Sequence, residues 1–213
     1  MKNSYVFLLF CVFCFKSYGQ KKTKNFFSPN KIGFLYNTAN ENNFLFDDKD
    51  YYYQTSVYKI QSFYKIASWK IVDFELIIQP QYQHIKHQLL NEQFVTPEDD
   101  NFQEKREKYT ALKTLNLYAI EFGLSIKIKL LNRFSFDTTI GLGFSYIDKT
   151  TERLAEGFTF IENGSIGFTY QTSKKTNLYV GGNVGHVSNF DFQQPNSGYN
   201  IVGFEIGFQY LLN

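Results

Sequence analysis

From residue 31 to its end the chain alternates bulky apolar residues with small or polar ones, segment after segment. The last segment is the plainest: Val202, Phe204, Ile206, Phe208, Tyr210 and Leu212 occupy even positions, with Gly203, Glu205, Gly207 and Gln209 between them. Successive side chains of a β-strand point to opposite faces, so a period of two writes a strand with one oily and one polar side.

The same division recurs upstream. Residues 110 to 130 set Tyr118, Ile120, Phe122, Leu124 and Ile126 against Glu121, Ser125, Lys127 and Lys129. Residues 134 to 146 set Phe136, Ile140, Leu142, Phe144 and Tyr146 against Asp137, Thr139, Gly141 and Ser145, and residues 70 to 84 set Phe74, Leu76, Ile78 and Tyr82 against Asp73, Glu75, Gln79 and Gln81. Segments near 31 to 38, 54 to 66, 160 to 172 and 177 to 188 bring the number to eight. Alternation alone does not say which face is outermost, but the polar side is so rich in Gly, Ser and charge that it makes a poor oily core. The connections alternate too: short at 67 to 69, 131 to 133 and 173 to 176, long at 39 to 53, 87 to 109, 148 to 159 and 189 to 198. An even strand number with short turns at one end and long loops at the other predicts an all-β fold, an eight-stranded antiparallel transmembrane β-barrel with its long loops outward.

Composition agrees, with 19% aromatic residues and 4 Pro. After residue 19 no apolar run is long enough for a spanning helix. A negative mean hydropathy is no objection, because a barrel wall needs apolar residues only at alternate positions. Residues 1 to 19 read as a secretory signal: Lys2 at the start, an apolar stretch from Val6 to Phe15, then Ser17 and Gly19 before a cut ahead of Gln20. Residues 20 to 30 then form a periplasmic N-terminal segment and 31 to 213 the barrel. Cys11 and Cys14 both fall in the signal, so the exported chain is expected to carry no thiol, disulfide or cysteine metal site. A formal charge of +2 gives no argument for nucleic acid or an acidic partner.

Eight strands enclose an interior just wide enough for side chains to fill. Lys59, Lys65, Asp73, Glu75, Glu121, Lys127, Asp137 and Glu205 are expected there as a paired polar core, which disfavours a channel. The mixed-charge run from Glu98 to Lys108 reads as a solvated loop, the alternative being a contact for lipopolysaccharide phosphates or their bridging cations. His84 and His87 read as interfacial strand-end residues rather than metal ligands.

One stretch carries chemistry: Gly185-His186-Val187-Ser188-Asn189, followed by Gln194-Pro195-Asn196-Ser197-Gly198-Tyr199-Asn200. Residues i and i+2 of a strand share a face roughly 6.6 Å apart, so His186 and Ser188 can meet by hydrogen bond as a base beside a hydroxyl. Face-counting puts both on the lipid side near the outer end, with Asn200 on the same side of the last strand. An imidazole and an amide facing hydrocarbon are costly; the plain alternative is that they mark the headgroup boundary.

These residues resemble the PagL-type lipid A deacylases, whose bacterial relatives are often labelled acyloxyacyl hydrolases. The resemblance lies in His186-x-Ser188-Asn189 and Pro195-Asn196-x-Gly198, about fifteen residues, with architecture alone matching elsewhere. It implies an outer-membrane serine esterase that removes an ester-linked acyl chain from the lipid A of lipopolysaccharide, needing no metal or other cofactor. By that resemblance Ser188 is the nucleophile, His186 the general base, Asn196 an oxyanion donor and Asn189 a supporting residue. One departure stands out, because the family's third member is a Glu and this chain has Asn200. A neutral amide still orients an imidazole but stabilises its charged form less than a carboxylate does. Glu162, on the even face of the sixth segment and opposite His186 or Ser188 across the hairpin, is the candidate to supply the missing charge. The competing readings are a non-catalytic barrel that presents its loops to a partner, and a small channel.

Overall fold

A computed structural model describes residues 28 to 43, 45 to 46 and 49 to 212. The expected signal of residues 1 to 19, with Cys11 and Cys14, lies outside the described residues, as does most of the 20 to 30 segment. Eight strands follow one another: β1 Lys31–Asn40, β2 Tyr51–Trp69, β3 Val72–Leu89, β4 Lys113–Leu131, β5 Phe134–Ile147, β6 Gly157–Gln171, β7 Thr176–Ser188 and β8 Tyr199–Leu211. Each pairs with its sequence neighbours, and β8 returns antiparallel onto β1 to close the ring. Every segment read from the alternation is a strand, and the short turns and long loops fall at opposite ends.

Two details differ from the sequence reading. β2 continues through Ala67 to Trp69 by means of a bulge between Lys65 and Ala67, so the turn sits at Lys70, whose φ is 51°. The long connection after β3 is not all loop: it contains a 3-10 turn at Glu92–Phe94 and a helix, α1, at Phe102–Thr110. The helix escaped notice because it has no buried residue and hence no apolar stripe to read. It is held by its backbone and flank: Arg106 Nε donates to the Val95 carbonyl at 2.9 Å, and Gln88 Nε2 to the Thr110 carbonyl at 2.8 Å. Phe102 and Tyr109 pack on a small cluster of Tyr51, Leu89 and Val95.

Following one row of paired residues round the ring gives Asn200, His186, Glu162, Leu142, Phe122, Ile78, Ser62, Ile32 and then Tyr210. The row returns to β8 ten residues from where it left, so rows climb the wall obliquely and strands tilt from the barrel axis. Four residues outward of that row runs another, Tyr36, Tyr58, Tyr82, Tyr118 and Tyr146, one tyrosine on each of β1 to β5. Ring centroids along its first four members are 5.3, 6.2 and 5.4 Å apart. One step further out the lipid-facing residues turn polar: Thr38, Ser56, His84 and Asn116. Tyrosines with an oily body and a wet tip belong at such a boundary, and the row marks the outer edge of the apolar wall. Below it Ile60, Ile120, Phe122, Ile140, Leu142, Ile166, Phe204 and Ile206 are all exposed. The greasy face is the outer one.

The interior has two storeys. The inner one is the paired polar core expected from sequence: Lys31 Nζ is 2.8 Å from Glu75, Lys127 3.4 Å from Asp137, and Lys59 lies between Glu121 at 3.5 Å and Glu205 at 3.9 Å. Gln81 and Asn163 donate to Glu121 at 2.9 and 2.8 Å, and Gln61 to Gln79 at 2.8 Å. Lys65 departs from that expectation: it lies half exposed at the inner mouth, 3.5 Å from Asp73, because the strand has by then left the ring of side chains. The outer storey is apolar, built from Ile85, Leu115, Leu117, Ile147, Ile161, Val187 and Ile201 and capped by Leu154 from the β5–β6 loop. Ion pairs in the inner half and apolar side chains in the outer half occupy most of the lumen.

Lys59 is 3% exposed between two carboxylates. Breaking a buried pair by removing one partner leaves uncompensated charge, so Lys59→Ala is expected to lose about 3 to 5 kcal/mol of barrel stability. Urea unfolding in detergent micelles, followed through the fluorescence of Trp69, the chain's single tryptophan, measures it.

Candidate active site

The outer ends of β6, β7 and β8 bring Glu162, His186 and Asn200 side by side in one transverse row on the lipid face. Each stands at an even position of its strand, and register does the rest: Glu162 pairs with His186, and His186 with Asn200. Ser188 closes β7 two residues on from His186, on the same face, opposite Phe160 of β6.

His186 Nδ1 and Asn200 Oδ1 are 2.8 Å apart. A carboxamide oxygen accepts only, so this contact makes Nδ1 the protonated nitrogen and leaves Nε2 with its lone pair. Gly198 meets the opposite edge of the ring. A Cβ built on it would stand 2.8 Å from both Cε1 and Nε2 of His186 and 2.5 Å from the Val187 carbonyl, and its φ is +64°. Only glycine fits that backbone and that proximity. The β7–β8 register ends at Val187 opposite Tyr199, and the Nε2 edge of the ring faces Gly198 just beyond it. Among the described residues no hydrogen bond joins Ser188 to His186, and none joins Glu162 to His186.

The loop from 189 to 198 is folded on itself by amides. Asn196 Oδ1 accepts the Asn189 backbone N–H at 2.7 Å, and Asn196 Nδ2 donates to Asp191 Oδ1 at 3.2 Å. Asn189, 1% exposed, donates from Nδ2 to the Gln193 carbonyl at 2.7 Å. Asn196 and Asn189 each spend one side-chain N–H on holding the turn, which leaves the second N–H of Asn196 for another acceptor. Phe190 and Phe192 of this loop lie against Phe160, at 4.6 and 6.0 Å between ring centroids, and Phe160 also meets Phe158 at 4.9 Å. A phenylalanine collar thus stands beside Ser188 on the lipid side.

Inward of Glu162 and His186 the wall is hollowed. Gly164 and Gly182 occupy lipid-facing positions between Ile140, Ile166, Val184 and Phe204, and a Cβ on Gly164 would meet nothing nearer than the Val184 carbonyl at 4.0 Å. The trough and the polar row adjoin. Among the described residues no three of His, Cys, Asp and Glu stand together as metal ligands would.

The structure therefore gathers His186, Ser188, Asn200, Asn189, Asn196 and Glu162 into one region, with Asn200 rather than Glu162 bonded to the imidazole. Sequence reasoning missed what holds the region in place. The Arg153 carbonyl accepts the backbone N–H groups of Ser197 at 2.7 Å and Gly198 at 3.0 Å, a contact between two loops that no periodicity announces. His87 also differs from expectation: it points inward, its Nε2 2.7 Å from Glu152 Oε1, because β3 extends to Leu89 and residue 87 falls on the odd, inner face. His84 does face outward at the boundary, 3.3 Å from Asn116 Oδ1.

A family model described as lipid A 3-O-deacylase (PagL) matches residues 91 to 209, more than half of the chain. The chain belongs to the PagL lipid A 3-O-deacylase family. Among solved structures, the outer membrane enzyme PagL aligns with a TM-score of 0.55 at 10% identity, covering 84% of this chain and 97% of that one. Neisserial surface protein A aligns with a TM-score of 0.48 at 11% identity, over 85% of this chain and 96% of that one. No curated protein matches the sequence. With its apolar outer wall, this PagL-family chain is an outer-membrane β-barrel.

Gly198→Ala tests the packing around the imidazole. The added methyl is expected to push the His186 ring off Asn200, shifting the ring resonances of His186 in NMR spectra of the refolded PagL-family barrel while signals from β2 to β4 stay in place.

Proposed function

We propose that this protein is an outer-membrane serine esterase that removes an ester-linked acyl chain from the lipid A of lipopolysaccharide. The observation that carries the reading is the 2.8 Å contact between His186 Nδ1 and Asn200 Oδ1, which supports the tautomer whose Nε2 is available to act as base for Ser188. Family membership supplies the substrate class.

In this mechanism the ester carbonyl settles between Ser188 and the Asn196 amide, with its acyl chain in the trough over Gly164 and Gly182. Ser188 Oγ attacks the carbonyl carbon as its proton passes to His186 Nε2. The resulting oxyanion takes the free N–H of Asn196, a donor worth about 3 kcal/mol where water is excluded. The bond to the sugar oxygen then breaks, and His186 returns the proton to that oxygen. Water, deprotonated by the same imidazole, cleaves the acyl-enzyme and releases the fatty acid. Contacts between a nucleophile and its base commonly tighten in the substrate complex, and the mechanism requires Ser188 Oγ and His186 Nε2 to come within hydrogen-bond reach there. Asn200 orients the imidazole without charge. Glu162, the register partner of His186 on its other flank, is the carboxylate available to favour the imidazolium.

Ser188→Ala is expected to abolish acyl release while the barrel still inserts, and mass spectrometry of lipid A from cells carrying each gene reads the result. Identical lipid A from both would remove the esterase. Asn196→Ala is expected to lower kcat by about 10²- to 10³-fold. Glu162→Gln and Asn200→Ala, assayed separately, divide the orienting role between them: an unchanged rate in Glu162→Gln eliminates its carboxylate from the mechanism.

A further inference from the structure

The outer mouth of the barrel holds a buried charged cluster that the esterase mechanism does not use. Glu152, in the loop between β5 and β6, has a side chain 2% exposed; its Oε1 lies 2.7 Å from His87 Nε2 on β3, and its Oε2 3.9 Å from Lys113 Nζ on β4. His87 in turn stacks on Tyr51 of β2, ring centroids 5.6 Å apart. One loop carboxylate is thus tied to the strands across the barrel from the catalytic ones.

The residues that follow Glu152 run along the catalytic loop. Arg153 receives the N–H groups of Ser197 and Gly198 on its carbonyl, Leu154 bridges to Asn196, and Ala155 N donates to the Pro195 carbonyl at 2.9 Å. Three consecutive residues therefore dock the whole of Pro195 to Gly198, the segment that supplies the oxyanion amide and the glycine beside the His186 ring. The turn that presents them is closed on Thr151, whose Oγ1 accepts from Leu154 N at 3.0 Å and Arg153 N at 3.2 Å. Leu154, fully buried in the upper core, sets how deep the loop sits. Apolar burial has no direction, and a charge-assisted hydrogen bond does. The contact of Glu152 with His87 is one such directional tie, and the Arg153 guanidinium 4.9 Å over the Tyr51 ring is another.

We propose that Glu152, held by His87 and Lys113, is a positioning residue for the reaction: it orients the turn from 151 to 155 as the template against which Asn196 and Gly198 are set. It touches no substrate and acts through the Arg153 carbonyl and the Leu154 bridge. This role rests on the esterase reading. A misplacement of about 1 Å at the reacting groups costs on the order of a hundredfold in rate, so the expected signature is a loss in kcat with binding preserved.

The test is steady-state deacylation of purified lipopolysaccharide by the full refolded barrel, with barrel content measured by heat-modifiable gel mobility and Ser188→Ala run beside it. Glu152→Ala is expected to lower kcat about tenfold to a hundredfold with KM within twofold of the parent. Glu152→Gln, which still accepts from His87, is expected to recover most of the loss. Should Glu152→Ala fail to fold, His87→Phe carries the test, since it keeps the ring stacked on Tyr51 but removes the donor; the same fall in kcat alone is expected. A rise in KM with kcat retained, or parental kinetics in the variants, overturns the positioning role while an inactive Ser188→Ala leaves the esterase standing. Activity retained in Ser188→Ala overturns the esterase and this role with it.

Discussion

A wall set in hydrocarbon has no water to satisfy its peptide groups, and this requirement governs the rest of the molecule. The pairing of β8 with β1 leaves no open edge, and each unpaired group there would cost several kcal/mol. Once the ring is closed, half of every strand must face lipid and the other half must fill the lumen. The lumen half is where the chain places its charges, and Lys59 between Glu121 and Glu205 shows how they are made tolerable: each ion has an opposite ion within reach, and Glu121 also takes amide donors from Gln81 and Asn163. The oily face, free of that duty, is available for a site built on the outside.

The site uses the ring's regularity and then departs from it. Register alone aligns Glu162, His186 and Asn200, and register is rigid in a closed barrel, since slipping one strand by a residue would turn its apolar face inward. What register cannot do is place a donor above the strand ends. That falls to two loops locked together, the one carrying Asn196 and the one carrying Arg153 and Leu154. The phenylalanines at 160, 190 and 192 tie the loop from 189 to 198 to the lipid side as well.

Most of this architecture was legible in the sequence because barrel strands advertise themselves at every second residue. The eight strands, the division of each into two sides and the sharing of one side by His186, Ser188 and Asn200 follow from parity; which side faces out is read from how poor a core the charged side would make, and the apolar outer half of the lumen is not read at all. Parity fails where the chain leaves the wall. Helix α1, with no fully buried residue, has no apolar stripe to betray it; the inward turn of His87 depends on where β3 stops; and the docking of Pro195–Asn196–Ser197–Gly198 on residues 153 to 155 is a contact between loops some forty residues apart. The tyrosine row was hidden for another reason. Its members lie on five strands, and only the register reveals that they are neighbours.

The wall is uneven in height. β2 and β3 continue seven residues beyond the tyrosine row, from Tyr58 to Tyr51 and from Tyr82 to Leu89, whereas β5 continues only one, from Tyr146 to Ile147. The parapet therefore rises on the flank that carries α1 and drops where His186 and Ser188 sit. If the proposed esterase reading holds, a lipid with a bulky saccharide would reach the row from this low flank without its tails leaving the leaflet. On that reading access to the site is lateral, through the leaflet, and owes nothing to the bore of the cylinder.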